Sequence, residues 1–404
     1  MFRPGPHEWG SWLSTMGGPY GAYAHCCMPP DANQGIIARC PTSWADSMNS
    51  PIQQSEMQRL RQLPKAEVHV HLEGTFEPAT LAQWARDAGI PLPRPLERLF
   101  EFQGLTDFLE FLDWACHLAN TPERLATLAR DFCRRLAQDG TGYADLIFNP
   151  THWSAWQGRL RAMLDALDAG FREAEQDGLP SVGLCVSLLR TQSGDQAVEL
   201  VDKLVGWRHP RVVALSVDGN EATAGRTGPR FANAFRRAQA AGLRRTVHAG
   251  ESSGPEGVRD AIELLCADRI DHGVRAIEDP TLVELLAKRR IALGVCPSSN
   301  LVLKVYGSLD AHPLDRLRRA GVPVSINTDD PSLLGTTLTR EYALCAAHFG
   351  WDDRALRDLA ATSITASFAN DDLKRDLHRA LAAWQDKPVA AASDPKLHDK
   401  TKTR

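Results

Sequence analysis

Short apolar, β-rich runs alternate with longer stretches of helical period through the middle of the chain. Eight such runs stand out, at 67–72, 143–148, 181–188, 212–218, 244–249, 269–273, 291–296 and 322–328. Each is bounded by turn residues and reads as a buried strand. Between them, apolar residues recur at helical spacing over 78–89, 122–139, 158–177, 229–241, 256–267, 280–290 and 312–320. Several of these stretches open on Pro or a capping residue and stop at Gly89, Gly140, Gly242 or Gly321, as helices do. Strand–helix alternation predicts a parallel sheet, and eight units predict a closed (β/α)8 TIM barrel, here a single domain over 48–385. The first connection, 73–142, is too long for one helix and is expected to carry extra helices over the barrel mouth. The segment 351–384 reads as further helix after the last strand.

The ends follow neither period. Residues 1–47 are rich in Gly and Pro. They are expected to be a disordered extension, or not part of the native protein if translation starts at Met48. Residues 386–404 are charged and aperiodic and read as a disordered tail. Composition adds exclusions. Of 404 residues, 43% are hydrophobic and 24% charged, which rules out an intrinsically disordered chain. A net charge of −4 argues against binding nucleic acid by neutralising phosphates. No apolar run is long enough for a membrane span. Nine cysteines without a C-x-x-C pair read as free thiols in a reducing compartment, so the expected location is the cytoplasm.

The reactive residue types gather at the C-terminal ends of the strands, where barrels of this kind place their chemistry. The first strand ends His69-Val70-His71, the fifth His248 with Glu251 just beyond, the sixth His272 and the eighth Asp329-Asp330. His69 and His71, two apart on a strand, point to the same face. With a third imidazole and a carboxylate they suit one Zn2+ with a position left for water, although ligand types alone leave Fe, Mn or Co open. Such an ion makes hydroxide available near neutral pH. Glu251 is then a candidate general acid/base. His272 is either another ligand or an orienting base, and Asp330 either a second site carboxylate or a turn residue before Pro331. The fourth strand ends without a Lys to bridge two metals, so one ion is the simpler reading.

The ordered set LPKAEVHVHLEGT (63–75), GNE (219–221), HAGES (248–252), RIDHGVR (269–275), CPSSN (296–300) and SINTDDP (325–331) resembles the adenosine deaminase family of the amidohydrolase superfamily. The resemblance covers roughly 60–350. It implies that His69, His71, His248 and Asp329 hold zinc and that Glu251 protonates a purine at N1 while hydroxide attacks C6. It further implies that His272 orients the water, Asp330 bonds N7 and the backbone of Gly219 approaches N3. Glu73 replaces the family's usual Asp near the ribose, and with His71 it is expected to touch substrate. The implied partners are a small purine or purine nucleoside and water. The main expectation is adenosine deamination, with adenine or 6-amino-6-deoxyfutalosine as the alternative. Glu73 favours the latter branches and Gly219-Asn220-Glu221 the nucleoside branch. YADLIFNPTHW (143–153) departs from the usual Y-x-E-x-R-x-x-P. More distant readings are a metal hydrolase of a cyclic amide or ester and an inactive binding barrel. The absence of H-x-E with P-C-x-x-C disfavours polynucleotide editing. The aromatic run 100–114 reads as a helix packed on the barrel, or as an apolar lid over substrate. Cys296 reads as buried packing, and Arg316, Arg318 and Arg319 as a solvated face.

Overall fold

A computed structural model describes residues 51–384, apart from Gly104 and Asn220. The expectations for 1–47 and 386–404, and the middle residue of the GNE motif, fall outside the described residues. Eight strands form the centre: β1 (Lys65–His71), β2 (Thr141–Phe148), β3 (Ser181–Leu189), β4 (Val212–Asp218), β5 (Arg244–Ala249), β6 (Arg269–His272), β7 (Ala292–Val295) and β8 (Val324–Ile326). They pair in chain order, every pair parallel. Helices cover the outside, so both strand faces are buried, which is why the strands read as continuous apolar runs.

The seam between β8 and β1 is closed partly by backbone and partly by side chain. His71 N–H donates to Asp329 O at 2.8 Å, and Asp329 N–H to His69 O at 3.2 Å. Nearer the barrel bottom, Asn327 Oδ1 accepts the Val68 and His69 amides at 2.8 and 3.2 Å. These bonds satisfy a strand edge that the three-residue β8 is too short to cover. They also tie Asp329 directly to the strand that carries His69 and His71.

The outer helices follow the expected logic. Pro122–Gln138 starts on Thr121, whose hydroxyl accepts the Arg124 amide, and buries Leu125, Leu128, Phe132 and Leu136 along one stripe. Each such side chain contributes about 1.5–3 kcal/mol on burial. The long first connection carries Pro78–Ala88, Leu105–Leu118 and Pro122–Gln138. The segment after β8 forms Leu338–Phe349, Asp353–Ala366 and Asp371–Ala383. The helix Gly194–Trp207, absent from the sequence reading, begins with a complete capping box of Ser193 and Gln196. No helix among the described residues is long and apolar enough to cross a membrane.

The departure in the second strand has a structural answer at the barrel bottom. Asp145 stands where the family has Glu, and Ile147 where it has Arg. Asp145 pairs with the fully buried Arg269 of β6 at 2.6 Å, and that guanidinium also lies over the Phe368 ring. This pair supports the floor of the barrel rather than its reactive end.

Candidate metal and substrate site

The C-terminal ends of β1, β5, β6 and β8 converge. His69 Nε2 lies 3.1 Å from His248 Nε2, and His71 Nε2 lies 3.0 Å from the same atom. Asp329 Oδ1 is 3.4 Å from both His69 Nε2 and His71 Nε2. Four donors at these spacings could share one ion. Two of the supporting residues hold left-handed backbone, His272 at φ 64° and Asp329 at φ 67°. Non-glycine residues adopt that region at a cost, and such strain concentrates where side-chain aim matters.

The surroundings prepare the donors. Gly294 O, 2.8 Å from His69 Nδ1, takes its proton and leaves the Nε2 lone pair facing inward. Asp271 Oδ2 stands 3.5 Å behind His248 Nδ1. Ser299 Oγ donates to Asp329 Oδ2 at 2.7 Å. Burial pushes the Asp329 carboxyl up, but His69, His272 and His71 outweigh it and hold it well below the usual carboxylate range. Burial lowers His69, and Asp329 and Asp271 overcome this to raise it to about 9. Burial and the neighbouring imidazoles hold His248 and His272 well below their ordinary value, and burial lowers His71. The cluster therefore holds an ionised carboxylate and mostly neutral imidazoles, and a cation would displace the His69 proton. The donor set fits a divalent ion.

His272 offers a fifth candidate. Its donor lies within 4.8 Å of those of His69, His248 and Asp329, a quartet that leaves out His71. Its Nε2, however, is 3.9 Å from Asp329 Oδ2 and 3.5 Å from Glu251 Oε1, whereas His71 Nε2 comes within 3.4 Å of both His248 and Asp329. His71 Nε2 thus lies nearer the Asp329 carboxylate than His272 Nε2 does, and His272 stands beside Glu251.

Above this floor is a pocket of about 110 Å3. Glu251, Gly219 and Asp330 line it with the metal-site residues. Gly219 turns with φ +97°, a conformation open to glycine. Glycine at 74 has a different cause: a Cβ there would stand 2.4 Å from the Asp330 Cα. The Asp330 carboxyl is raised well above its usual range by burial, by Asp329 and by Glu73. Glu73 Oε1 accepts the Asn149 amide at 3.0 Å and the Trp153 indole N–H at 2.7 Å. Burial raises Glu73 to about 7 despite these donors. Phe102, Phe108 and Leu112 close the pocket on the apolar side. Phe111 packs inward against Phe100 and Phe102, so the aromatic run both packs and lids.

Sequence reasoning missed several contributors. Asp218 donates nothing and accepts the Asn149 side-chain amide at 2.6 Å through Oδ1, while its Oδ2 and the Glu73 Oε2 are buried without a donor. Glu221 accepts the Gly250 and Glu251 amides, each at 2.9 Å, and so holds the loop that presents Glu251. Arg190 ties the Gly219 carbonyl to that of His248. Cys296, read as simple packing, is buried but sits 3.3 Å from His69 Nδ1. Asp218 ends a strand in polar form, which was a usable signal. Arg190 and Asn149 carried none.

Eight parallel strands with a convergent imidazole–carboxylate floor under a small lidded pocket define a barrel hydrolase of the metal-dependent amidohydrolase type. The adenosine deaminase family model matches residues 64–384. The chain belongs to the adenosine deaminase family. It is 35% identical to an adenine deaminase of Rhodospirillum rubrum, over 80% of this chain and 97% of that protein. It is 37% identical to an aminodeoxyfutalosine deaminase of Streptomyces coelicolor, over 76% of this chain and 80% of that protein. A Burkholderia ambifaria amidohydrolase structure with bound Zn matches with a TM-score of 0.75 at 28% identity, covering 83% of this chain and 93% of that one.

Proposed function

We propose that the protein hydrolyses the exocyclic C–N bond of adenine, giving hypoxanthine and ammonia. The observation that carries this reading is Glu73 at the pocket wall: its Oε2 is buried without a donor, in a site that also holds Glu251 and the donor set. Similarity to adenine deaminases supports the same choice, so the expectation of adenosine gives way to its alternative.

When bound by His69, His71, His248 and Asp329, a divalent ion, with zinc the best-supported choice, supplies a water activated near neutral pH. The remaining work belongs to side chains. Glu251 protonates the ring at N1, which makes C6 electrophilic. After water adds at C6, the same carboxylate and His272 carry the proton that the departing ammonia needs. Asp330 holds N7, and the Gly219 backbone lies along the N3 edge. The donorless oxygens of Glu73 and Asp218 accept the ring N–H on the side remote from the amino group. Phe108 and Leu112 exclude bulk water, which strengthens each polar contact.

The test is ammonia release from adenine, adenosine and 6-amino-6-deoxyfutalosine, compared by kcat/KM. Adenine should lead by at least about 10-fold. A faster nucleoside would transfer the assignment. The second reading, 6-amino-6-deoxyfutalosine, is favoured by the 37% identity to its deaminase, and nucleoside hydroxyls would also satisfy Glu73 and Asp218.

A further inference from the structure

Behind the pair Glu251 and His272 lies a buried chain of polar groups that the reaction as described does not use. It begins at the amide of Leu314, which donates to His312 Nδ1 at 3.2 Å. With Nδ1 accepting, the His312 proton is on Nε2, which faces Asn300 Oδ1 at 3.1 Å. Burial keeps His312 neutral, lowering it to about 4. This contact settles which way the Asn300 amide points, since an N–H opposite requires the oxygen on that side. The other end of the amide, Nδ2, then faces Glu251 Oε1 at 3.5 Å and His272 Nδ1 at 3.4 Å. Asn300 is fully buried and His312 nearly so. The backbone of Asn300 is fixed as well, its carbonyl accepting the Val305 and Tyr306 amides.

The consequence concerns His272. An amide N–H facing Nδ1 needs a lone pair there, so the proton of the neutral ring lies on Nε2. That nitrogen looks toward Glu251 Oε1 at 3.5 Å and Asp329 Oδ2 at 3.9 Å, both acceptors. A protonated Nε2 has no lone pair to give a cation, which is a reason, independent of spacing, for His272 to stand outside the shell.

We propose that Asn300, aimed by His312, is a positioning residue that keeps the His272 proton on Nε2 and steadies the Glu251 carboxylate. The inference rests on the deaminase reading for its effect on turnover, but not for its effect on the imidazole. Long contacts of this kind tighten when substrate closes the site. Loss of a partner that orients a reacting imidazole costs about 10- to 100-fold in activity.

The experiment is nitrogen NMR of the protein labelled with 15N in the histidine rings, with His272 assigned through His272→Gln, run in parallel with kinetics and metal analysis. The wild type should show His272 as the Nε2–H tautomer without metal or substrate. Asn300→Asp keeps the shape but presents oxygen to Nδ1, so the proton should move to Nδ1 and kcat should fall about 10- to 100-fold. His312→Gln retains an N–H for Asn300 and should preserve the wild-type tautomer, whereas His312→Leu should not. An Nδ1–H tautomer in the wild type, or one unmoved in both Asn300→Asp and His312→Leu, overturns the proposal. Those spectra read the same whatever the substrate, so failure here is separable from failure of the deaminase assignment.

Discussion

Glu251 is placed by others rather than by its own fold position. Glu221 accepts its backbone amide, and its side chain faces His272 rather than the four donors. Glu251→Gln should therefore retain metal at the wild-type level while kcat falls by at least about 10²-fold, read by metal analysis alongside turnover. Near-normal turnover would remove Glu251 from the chemistry. His71→Ala should behave oppositely and lose metal and activity together, because its Nε2 is a corner of the donor set. Glu221→Ala leaves the Gly250, Glu251 and Ser253 amides without their acceptor. It should lower stability by about 1–3 kcal/mol in chemical denaturation and reduce kcat, with little change in metal content. The histidines and Glu251 were legible in the chain because their types are rare at strand ends and their order is specific. Asn300 and Glu221 lay inside recognised motifs, but their hydrogen-bond partners come from distant segments that no local pattern reveals.

At the scale of elements, the strands were read within a few residues because barrel strands are buried on both faces and stay apolar throughout. The shortest, β8, was read longer than it is: beyond Ile326, side chains and a single bridge replace the ladder. The lid was harder to read, since one helix serves two purposes with neighbouring residues. Phe111 is buried against Phe100, while Phe108 and Leu112 face the pocket. Helical period shows that such residues share a stripe but not which of them meets a ligand. Leu112→Ala should widen the pocket, raise KM for adenine several-fold and narrow the preference over adenosine, as measured by the ratio of their kcat/KM values. An unchanged ratio would show that another wall selects the base.

The whole molecule is a barrel whose two ends do different work. The reactive end collects the donors. The opposite end buries charges for support, including Arg269 between Asp145 and Asp271, and Lys65, whose ammonium donates to the carbonyls of Leu60, Leu63 and Asp139. The eightfold alternation made this architecture readable from the chain, whereas the Asp145–Arg269 pair was not, because it links strands far apart in sequence. Burial lowers Lys65 from 10.5 to about 8. Above 10.5 the amine is neutral in both states, and below 8 it is charged in both. Between those values the unfolded chain binds more protons, so stability contributed by this group rises with pH. Lys65→Met should remove that part of the slope in denaturation curves taken from pH 8 to pH 10, and an identical slope would contradict the assignment. Anomalous X-ray scattering at the zinc edge, from crystals of the purified protein, tests the ligand set head-on. One peak per chain is expected, about 2 Å from His69, His71 and His248 Nε2 and from Asp329. A peak bound by His272 in place of His71, or no peak at any transition-metal edge, would contradict it.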